Sequence, residues 1–212
     1  MKEETISILK KYHQEDILKY RLTEKQQQEL EKQISNIDFE QLQKLYESTK
    51  QEKYIEEKKI EHIPYIDKAK LSKEKEEELA NIGTEIIKQG HDAVVTMACG
   101  QGTRLGHIGP KGTYALDTVN GKKYIFEIII ERLKEANKKY GVIIPWYVMT
   151  SKENHEETVW FLENNNYFGY EKEKVKFFKQ GELPLIDTQG KLILDENARI
   201  KEAADGNGGI YE

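Results

Sequence analysis

Along residues 1–90, apolar positions recur among polar ones with the period of an α-helix. Glycine is absent from the chain until Gly83, so little interrupts that pattern. Thr23 stands three residues before Gln26, a spacing typical of a capping box at the start of a helix. Asp38 begins a second segment of the same kind. We therefore predict a helical N-terminal region over residues 1–90.

A further helix is predicted to begin at Ser72, whose hydroxyl can accept a hydrogen bond from the first turn. Leu79, Ile82 and Ile86 then recur at helical spacing and form an apolar stripe. The segment near residues 54–68 is less regular, and we interpret it as a connector.

From residue 91 onward, short β-branched runs alternate with helical patterns. Strands are predicted over residues 93–97, 143–149 and 175–178, helices over 124–140 and from 151 or 154 to 164, and a hairpin over 185–194. Such alternation is typical of an α/β domain with a mainly parallel sheet. We predict two domains, a helical region over residues 1–90 and a nucleotide-binding domain over residues 91–212.

The first of these strands opens into a glycine-rich loop that carries isolated cations. Its sequence from Met97 to Gly106 is MACGQGTRLG, and Lys111 follows within GPKG. Glycines let backbone N–H groups approach phosphate oxygens, while Arg104 and Lys111 can offset the negative charge. The glycine spacing is neither that of dinucleotide folds nor that of a P-loop. The loop favours a nucleotide phosphate site, and the alternative is a tight surface turn after a strand.

Composition narrows the class of protein. The formal net charge of −5 argues against a general nucleic-acid binder, which is usually basic. No stretch approaches 18 apolar residues, so no membrane span is expected, and the N-terminus lacks the apolar core of a signal peptide. We therefore expect a cytoplasmic protein without nucleic-acid or membrane partners. The five histidines show no paired ligand spacing, which disfavours a zinc site.

Four segments, in order along the chain, match one set of motifs. The glycine-rich loop is similar to L-x-G-G-x-G-T-R-L-G…P-K-G; the others are IIPWYVMTS at 143–151, FFKQGELP at 177–184 and DGNGGIY at 205–211. Together they resemble the eukaryotic-type UDP-sugar pyrophosphorylases, and most closely those that make UDP-N-acetylglucosamine. A single match would be weak, whereas four in order over residues 91–211 are specific.

The resemblance implies a Rossmann-like nucleotidyltransferase domain. Its reaction joins UTP and a sugar 1-phosphate, with N-acetylglucosamine 1-phosphate favoured, into a UDP-sugar and pyrophosphate. The implied enzyme is a UTP-dependent uridylyltransferase with Mg²⁺ as its cofactor. Catalysis of this kind depends on positioning and on neutralising the charge of the triphosphate.

The same resemblance implies a role for each site residue. Arg104 is expected on the β- and γ-phosphates, and Lys111 on charge that develops at the α-phosphate. Gln180 and Gly206 are expected at the uracil, and Asn207 at the N-acetyl group of the sugar. The remaining nucleotide-binding residues lie in the loop and are Met97, Ala98, Cys99, Gly100, Gln101, Gly102 and Thr103.

Two features depart from the family pattern. Cys99 stands where glycine is usual, which would cost about 1 kcal/mol or more if that position needs a positive φ. The chain also ends at Glu212, whereas family members continue for a stretch comparable with the whole chain. We therefore expect a domain incomplete at its C-terminus, a metal-binding aspartate outside this chain and no turnover by the chain alone. The alternative is a truncated, non-catalytic nucleotide-binding domain or one half of a split enzyme.

Overall fold

The computed structural model describes residues 1–50 and 61–211. The helices in this part of the chain are α1 (Glu3–Lys11), α2 (Glu24–Ser35), α3 (Phe39–Lys50), α4 (Lys73–Lys88), α5 (Ile125–Tyr140) and α6 (His155–Asn164). The strands are β1 (Val94–Met97), β2 (Ala115–Thr118), β3 (Gly121–Tyr124), β4 (Trp146–Thr150), β5 (Val175–Lys179), β6 (Glu182–Pro184) and β7 (Glu202–Ala204).

The chain divides into two compact units, each assembled from segments distant in sequence. The first comprises Met1–Glu61 with Glu182–Asp205, and the second comprises His62–Gly181 with Gly206–Glu212. Contacts in space define these units, and their boundaries differ from those of the predicted domains. The domain boundary after residue 90 stays a prediction.

A three-stranded parallel sheet in the order β1-β4-β5 forms the centre of the second unit. In its register, Trp146 of β4 lies beside Val94 on one side and Val175 on the other. The largest fully buried side chains here are Trp146, Phe126 and Ile130, each no more than 1% exposed. Helix α5 therefore covers the sheet with its apolar face. The parallel sheet confirms the predicted α/β class, and α1 to α3 confirm the helical N-terminal region.

Several helix ends form as their sequence signals predict. Oγ1 of Thr23 accepts a hydrogen bond from the Gln26 backbone amide, and Oε1 of Gln26 accepts one from the Thr23 backbone amide, which completes the capping box of α2. The Asp38 carboxylate accepts from the Gln41 amide at 2.9 Å and caps α3. Ser72 caps α4 in the same way. These local signals fix the starts of three helices.

The apolar stripe predicted from Leu79, Ile82 and Ile86 lies on α4, but it is not covered. These side chains are 40%, 50% and 44% exposed, and α4 has no buried residue in the described structure.

No described helix is both long enough and apolar enough to cross a membrane.

The first unit packs its helices around a separate core. Leu9, Leu30 and Ile34 are at most 1% exposed, and Leu192 and Ile200 join them from the later segment. Residues 185–194 were expected to form a hairpin. The chain does fold back on itself there: Ile186 and Leu192 form an antiparallel bridge, and the amides of Asp187 and Ile193 donate to the carbonyls of Lys191 and Leu185 at 2.8 and 3.0 Å.

Two antiparallel pairs were not foreseen. They are β2 with β3 and β6 with β7. Of the predicted connector near 54–68, residues 54–60 lie outside the described residues, and residues 61–67 form neither helix nor strand.

Candidate functional site

The glycine-rich loop leaves β1 and folds back on itself. Gln101 forms an antiparallel bridge with Pro110, and the Gly102 amide donates to the Gly109 carbonyl at 2.8 Å. The Lys111 amide donates to the Gly100 carbonyl at 3.0 Å, which closes the same ladder. We call residues 98–113 the phosphate loop. These backbone bonds hold its two ends side by side.

Lys111 lies at the mouth of this loop. A Cβ atom placed on Gly100 would be 3.6 Å from the Lys111 ammonium nitrogen, so the ammonium group lies directly over this glycine. The next residue, Gly112, packs against Phe126 so closely that an added Cβ would be 2.1 Å from the ring. This close approach fixes the backbone that carries Lys111. Lys111 itself is exposed.

Arg104 lies on the short 3₁₀ turn Thr103–Leu105 at the exposed crest of the phosphate loop. Gly106 ends this turn with a φ of 66°, a left-handed conformation that favours glycine. Within the described residues, no ion pair neutralises Arg104 or Lys111. Two unpaired cations on a single loop attract a polyanion.

The start of the phosphate loop is tied to the neighbouring strand and helix. The Ala98 amide donates to the Met149 carbonyl at 2.7 Å, which extends the β1–β4 ladder by one residue beyond Met97. The fully buried Asn154 donates its side-chain amide to the Ala98 carbonyl at 2.9 Å. Asn154 also accepts from the Ser151 amide at 2.9 Å. The loop therefore leaves the sheet in one fixed direction.

A second loop, residues 205–208, meets the sheet at the same edge. The Gln180 backbone amide, directly after β5, donates to the Thr150 carbonyl at 2.7 Å, and its side-chain Nε2 donates to the Gly206 carbonyl at 2.5 Å. Gly206 has a φ of 94°. The structure thus joins Gln180 and Gly206, two residues predicted for the same role at the uracil.

The second loop also touches the phosphate loop. The Cys99 sulfur lies 3.7 Å from Oδ1 of Asn207, within reach of a thiol hydrogen bond. Cys99 does not have a positive φ, so the strain considered for a non-glycine residue there does not arise. Burial raises the pKa of the Cys99 thiol, which keeps the sulfur protonated and able to donate. A reactive thiolate at this position is therefore not favoured.

One known protein family matches most of the chain. Residues 37–212 match the family described as UTP–glucose-1-phosphate uridylyltransferase. The chain belongs to this family. The predicted resemblance to UDP-sugar pyrophosphorylases is thereby confirmed.

Relatives of this uridylyltransferase family member are similar along most of the chain. UDP-N-acetylglucosamine diphosphorylase 2 of Arabidopsis thaliana is 34% identical over 219 residues, which cover 96% of this chain and 43% of the relative. UDP-N-acetylglucosamine pyrophosphorylase of Saccharomyces cerevisiae is 43% identical over 141 residues, 65% of this chain and 29% of the relative. This chain spans less than half the length of both.

A solved structure extends the likeness to the fold. The uridine diphosphate N-acetylglucosamine pyrophosphorylase of Trypanosoma brucei, crystallised with an inhibitor, superimposes with a TM-score of 0.71 at 30% identity. The match covers 99% of this chain and 44% of that one.

For a metal, the described residues offer no suitable cluster. Nowhere in this part of the chain do three or more His, Cys, Asp or Glu side chains come together in a way that could hold an ion. The described residues therefore do not form a metal site made of protein ligands alone.

Some residues that shape the site were not foreseen from the sequence as part of it. The sequence marks position 154 only as a possible start of a helix, and it assigns no role to His107 or Thr113. His107 Nε2 lies 2.8 Å from Thr113 Oγ1 inside the phosphate loop. The signal that could have indicated His107 was its position between the glycines of the phosphate loop.

Proposed function

We propose that this member of the uridylyltransferase family binds UTP and takes part in forming UDP-N-acetylglucosamine, or a related UDP-sugar, and pyrophosphate from a sugar 1-phosphate. One observation carries the proposal. The phosphate loop carries two exposed cations that pair with no described residue, and Cys99 joins it to the loop that bears Gly206 and Asn207.

The phosphate loop is suited to the triphosphate. Arg104 has a planar guanidinium that fits the β- and γ-phosphates, which leave together as pyrophosphate. Lys111 is a compact charge at the loop mouth and would stabilise the charge that grows on the α-phosphate during the transfer. Backbone amides of the glycine-rich segment supply further donors. Each role is part of the proposal.

Base selection is proposed for Gln180 and Gly206. Nε2 of Gln180 is already engaged with the Gly206 carbonyl, and no described residue donates to its Oε1. That oxygen can accept a hydrogen bond from N3–H of uracil, a donor that adenine lacks at the corresponding ring nitrogen. The bond to Gly206 holds the amide in the required orientation.

Sugar recognition is proposed for Asn207. Its Oδ1 faces the Cys99 sulfur, which leaves the amide N–H groups to donate to the carbonyl of an N-acetyl group. In the reaction, a phosphate oxygen of the sugar 1-phosphate forms a bond to the α-phosphorus of UTP, and the bond to pyrophosphate breaks. The protein's part is to align the reactants and to offset their charge.

Three further expectations remain part of this proposal. Mg²⁺ is the divalent ion that we expect the reaction to use, with ligands from outside the described residues. N-acetylglucosamine 1-phosphate is the favoured sugar phosphate. A cytoplasmic location also stays a prediction.

The proposal is tested by titrating this chain with UTP, ATP and uridine in a calorimeter. We expect UTP to bind more tightly than ATP because the uracil edge is matched. We expect Arg104→Gln to lower the UTP affinity by about tenfold or more, since a hydrogen bond to a charged group is worth about 1.5–3 kcal/mol. Arg132→Gln, which removes an exposed arginine from α5, is the matched control. Equal affinities for UTP and ATP would contradict the uridine assignment.

A further inference from the structure

The side chain of His107 fills the interior of the phosphate loop. A Cβ atom placed on Gly102 would lie 2.8 Å from both Cβ and Cδ2 of His107. A Cβ atom placed on Gly109 would lie 3.5 Å from Nε2 of the same ring. The His107 ring therefore packs against both strands of the loop's ladder. At Gly102 only glycine leaves room for the ring, whereas at Gly109 the ring is at ordinary contact distance and the nearest atom to an added Cβ is a carboxylate oxygen of Glu157, at 2.7 Å.

The hydrogen bonds of this ring define its protonation pattern. Thr113 Oγ1 donates its only hydrogen to the Pro110 carbonyl, at 2.8 Å. The same oxygen lies 2.8 Å from Nε2 of His107, so it must accept there and the ring must carry a hydrogen on Nε2. A relay thus runs from His107 through Thr113 to Pro110. Thr113 is only 8% exposed, which shields the relay from water.

This relay reaches both cation-bearing turns of the loop. The His107 amide donates to the Gly102 carbonyl at 3.2 Å, the carbonyl that also accepts from Leu105 in the turn of Arg104. The other end of the relay holds Pro110, the residue directly before Lys111. His107 is therefore the residue that links the two turns: its backbone amide and its ring contact Gly102 beside the turn of Arg104, and its side chain bonds Thr113 in the turn of Lys111.

We propose that His107 is a positioning residue that holds the two turns of the phosphate loop at a fixed spacing for a nucleoside triphosphate. The inference rests on the proposed function, because it concerns the same phosphate site. His107 does not touch the phosphates in this proposal. It sets the distance between the two cations that do, and so it acts only on ligands that carry a polyphosphate.

Four variants separate the hydrogen bond from the packing. His107→Ala removes both, and His107→Leu fills the space without a donor. His107→Gln keeps an amide N–H at a similar reach. Thr113→Val removes the acceptor and breaks the relay from its other side. His91→Ala, which removes an exposed histidine just after α4, is the matched control.

The first measurement is calorimetric titration with UTP and with uridine. In His107→Ala, His107→Leu and Thr113→Val, we expect the UTP affinity to fall about tenfold, while uridine binding changes less than about twofold. His107→Gln and His91→Ala should stay within about threefold of the wild type. Combining His107→Ala with Thr113→Val should add little, because both break one relay.

The second measurement needs no ligand. Amide hydrogen exchange at Gly102 and Lys111 reports the opening of the loop's ladder, and we expect it to accelerate about tenfold in His107→Ala and His107→Leu but not in His107→Gln. If His107→Ala and His107→Leu leave both the exchange rates and the preference for UTP over uridine unchanged, the positioning role is wrong and the proposed function still stands. A wild-type chain that binds UTP no better than uridine would overturn the proposed function and this inference with it.

Discussion

At the scale of single residues, Cys99 has the most unusual environment in the phosphate loop. It occupies a position where glycine is usual in the family, yet its backbone is not left-handed. Its sulfur lies 3.7 Å from Asn207, 108 positions away in the chain. Because burial raises the pKa of this thiol, the protonated and donating form is the one present near neutral pH.

The raised pKa predicts slow alkylation of Cys99. A thiol reacts as its thiolate, so a pKa above the ordinary value of about 8.5 shifts the midpoint of the rate against pH to a higher pH. Cys99 is the only cysteine in the chain, so all labelling by iodoacetamide reports this position. The same chain in denaturing urea is the control. A folded-state midpoint at or below the unfolded one would refute the prediction.

At the scale of elements, the phosphate loop depends on how closely it packs against α5. Gly112 allows the backbone beside Lys111 to lie against the Phe126 ring, and Phe126 lies 6.0 Å from Trp146 between ring centroids. The backbone beside Lys111 is therefore packed, through Phe126, against the core of the parallel sheet. In α4, by contrast, Gly83 has no atom within 4 Å of an added Cβ.

These two glycines predict opposite effects of the same substitution. Gly112→Ala should lower the free energy of unfolding by about 2 kcal/mol or more, because the added methyl overlaps the Phe126 ring. Gly83→Ala should raise helix stability by about 0.5–1 kcal/mol, since alanine has the higher helix propensity. Urea unfolding followed by tryptophan fluorescence measures the first effect, and far-UV circular dichroism measures the second.

The prediction for Gly112 has a clear opposite outcome. If Gly112→Ala unfolds at the same urea concentration as the wild type, then the loop and α5 are not packed as described. The helix prediction would fail if Gly83→Ala lowered the helical signal.

At the scale of the whole molecule, glutamine side chains hold the first unit together by forming hydrogen bonds with backbone groups that are distant in sequence. Gln14 is 6% exposed; it donates to the Gly190 carbonyl at 2.9 Å and accepts from the Leu192 amide at 2.9 Å. Gln33 makes the same pair of bonds with the backbone of Ile200, at 3.1 and 2.8 Å. Two glutamine amides thus anchor the segment 182–205 to the N-terminal helices.

Removing such an anchor predicts a large loss of stability. Gln14→Leu leaves the partly buried Gly190 carbonyl and the buried Leu192 amide without this partner, at a cost of about 1–3 kcal/mol for each group. We expect the free energy of unfolding to fall by about 2–4 kcal/mol in total, measured by far-UV circular dichroism in urea. Gln28→Leu, on the exposed side of α2, is the matched control and should change it by less than about 0.5 kcal/mol. Equal midpoints for the two variants would contradict the anchoring role.

Local structure could be predicted from the sequence because its signals act over a few residues. The capping residues Thr23 and Ser72 mark helix starts that the structure contains, and the β-branched run before Met97 forms a strand. The phosphate loop could be proposed as a site from its glycines and cations alone. The strand pairs β2–β3 and β6–β7 escaped prediction because their short segments, ALDT, GKKY, ELP and EAA, lack the apolar β-branched run that marks β1.

What the sequence determined by itself was the class of the fold, the helix starts and the family motifs that contain the candidate site. Only the tertiary structure decided which distant residues meet. The contacts of Cys99 with Asn207 and of Gln14 with Gly190 span 108 and 176 positions. It also decided that the stripe on α4 is left exposed and that His107 lies inside the phosphate loop. Periodicity reports which side of an element is apolar, whereas the partner of that side depends on how the whole chain packs.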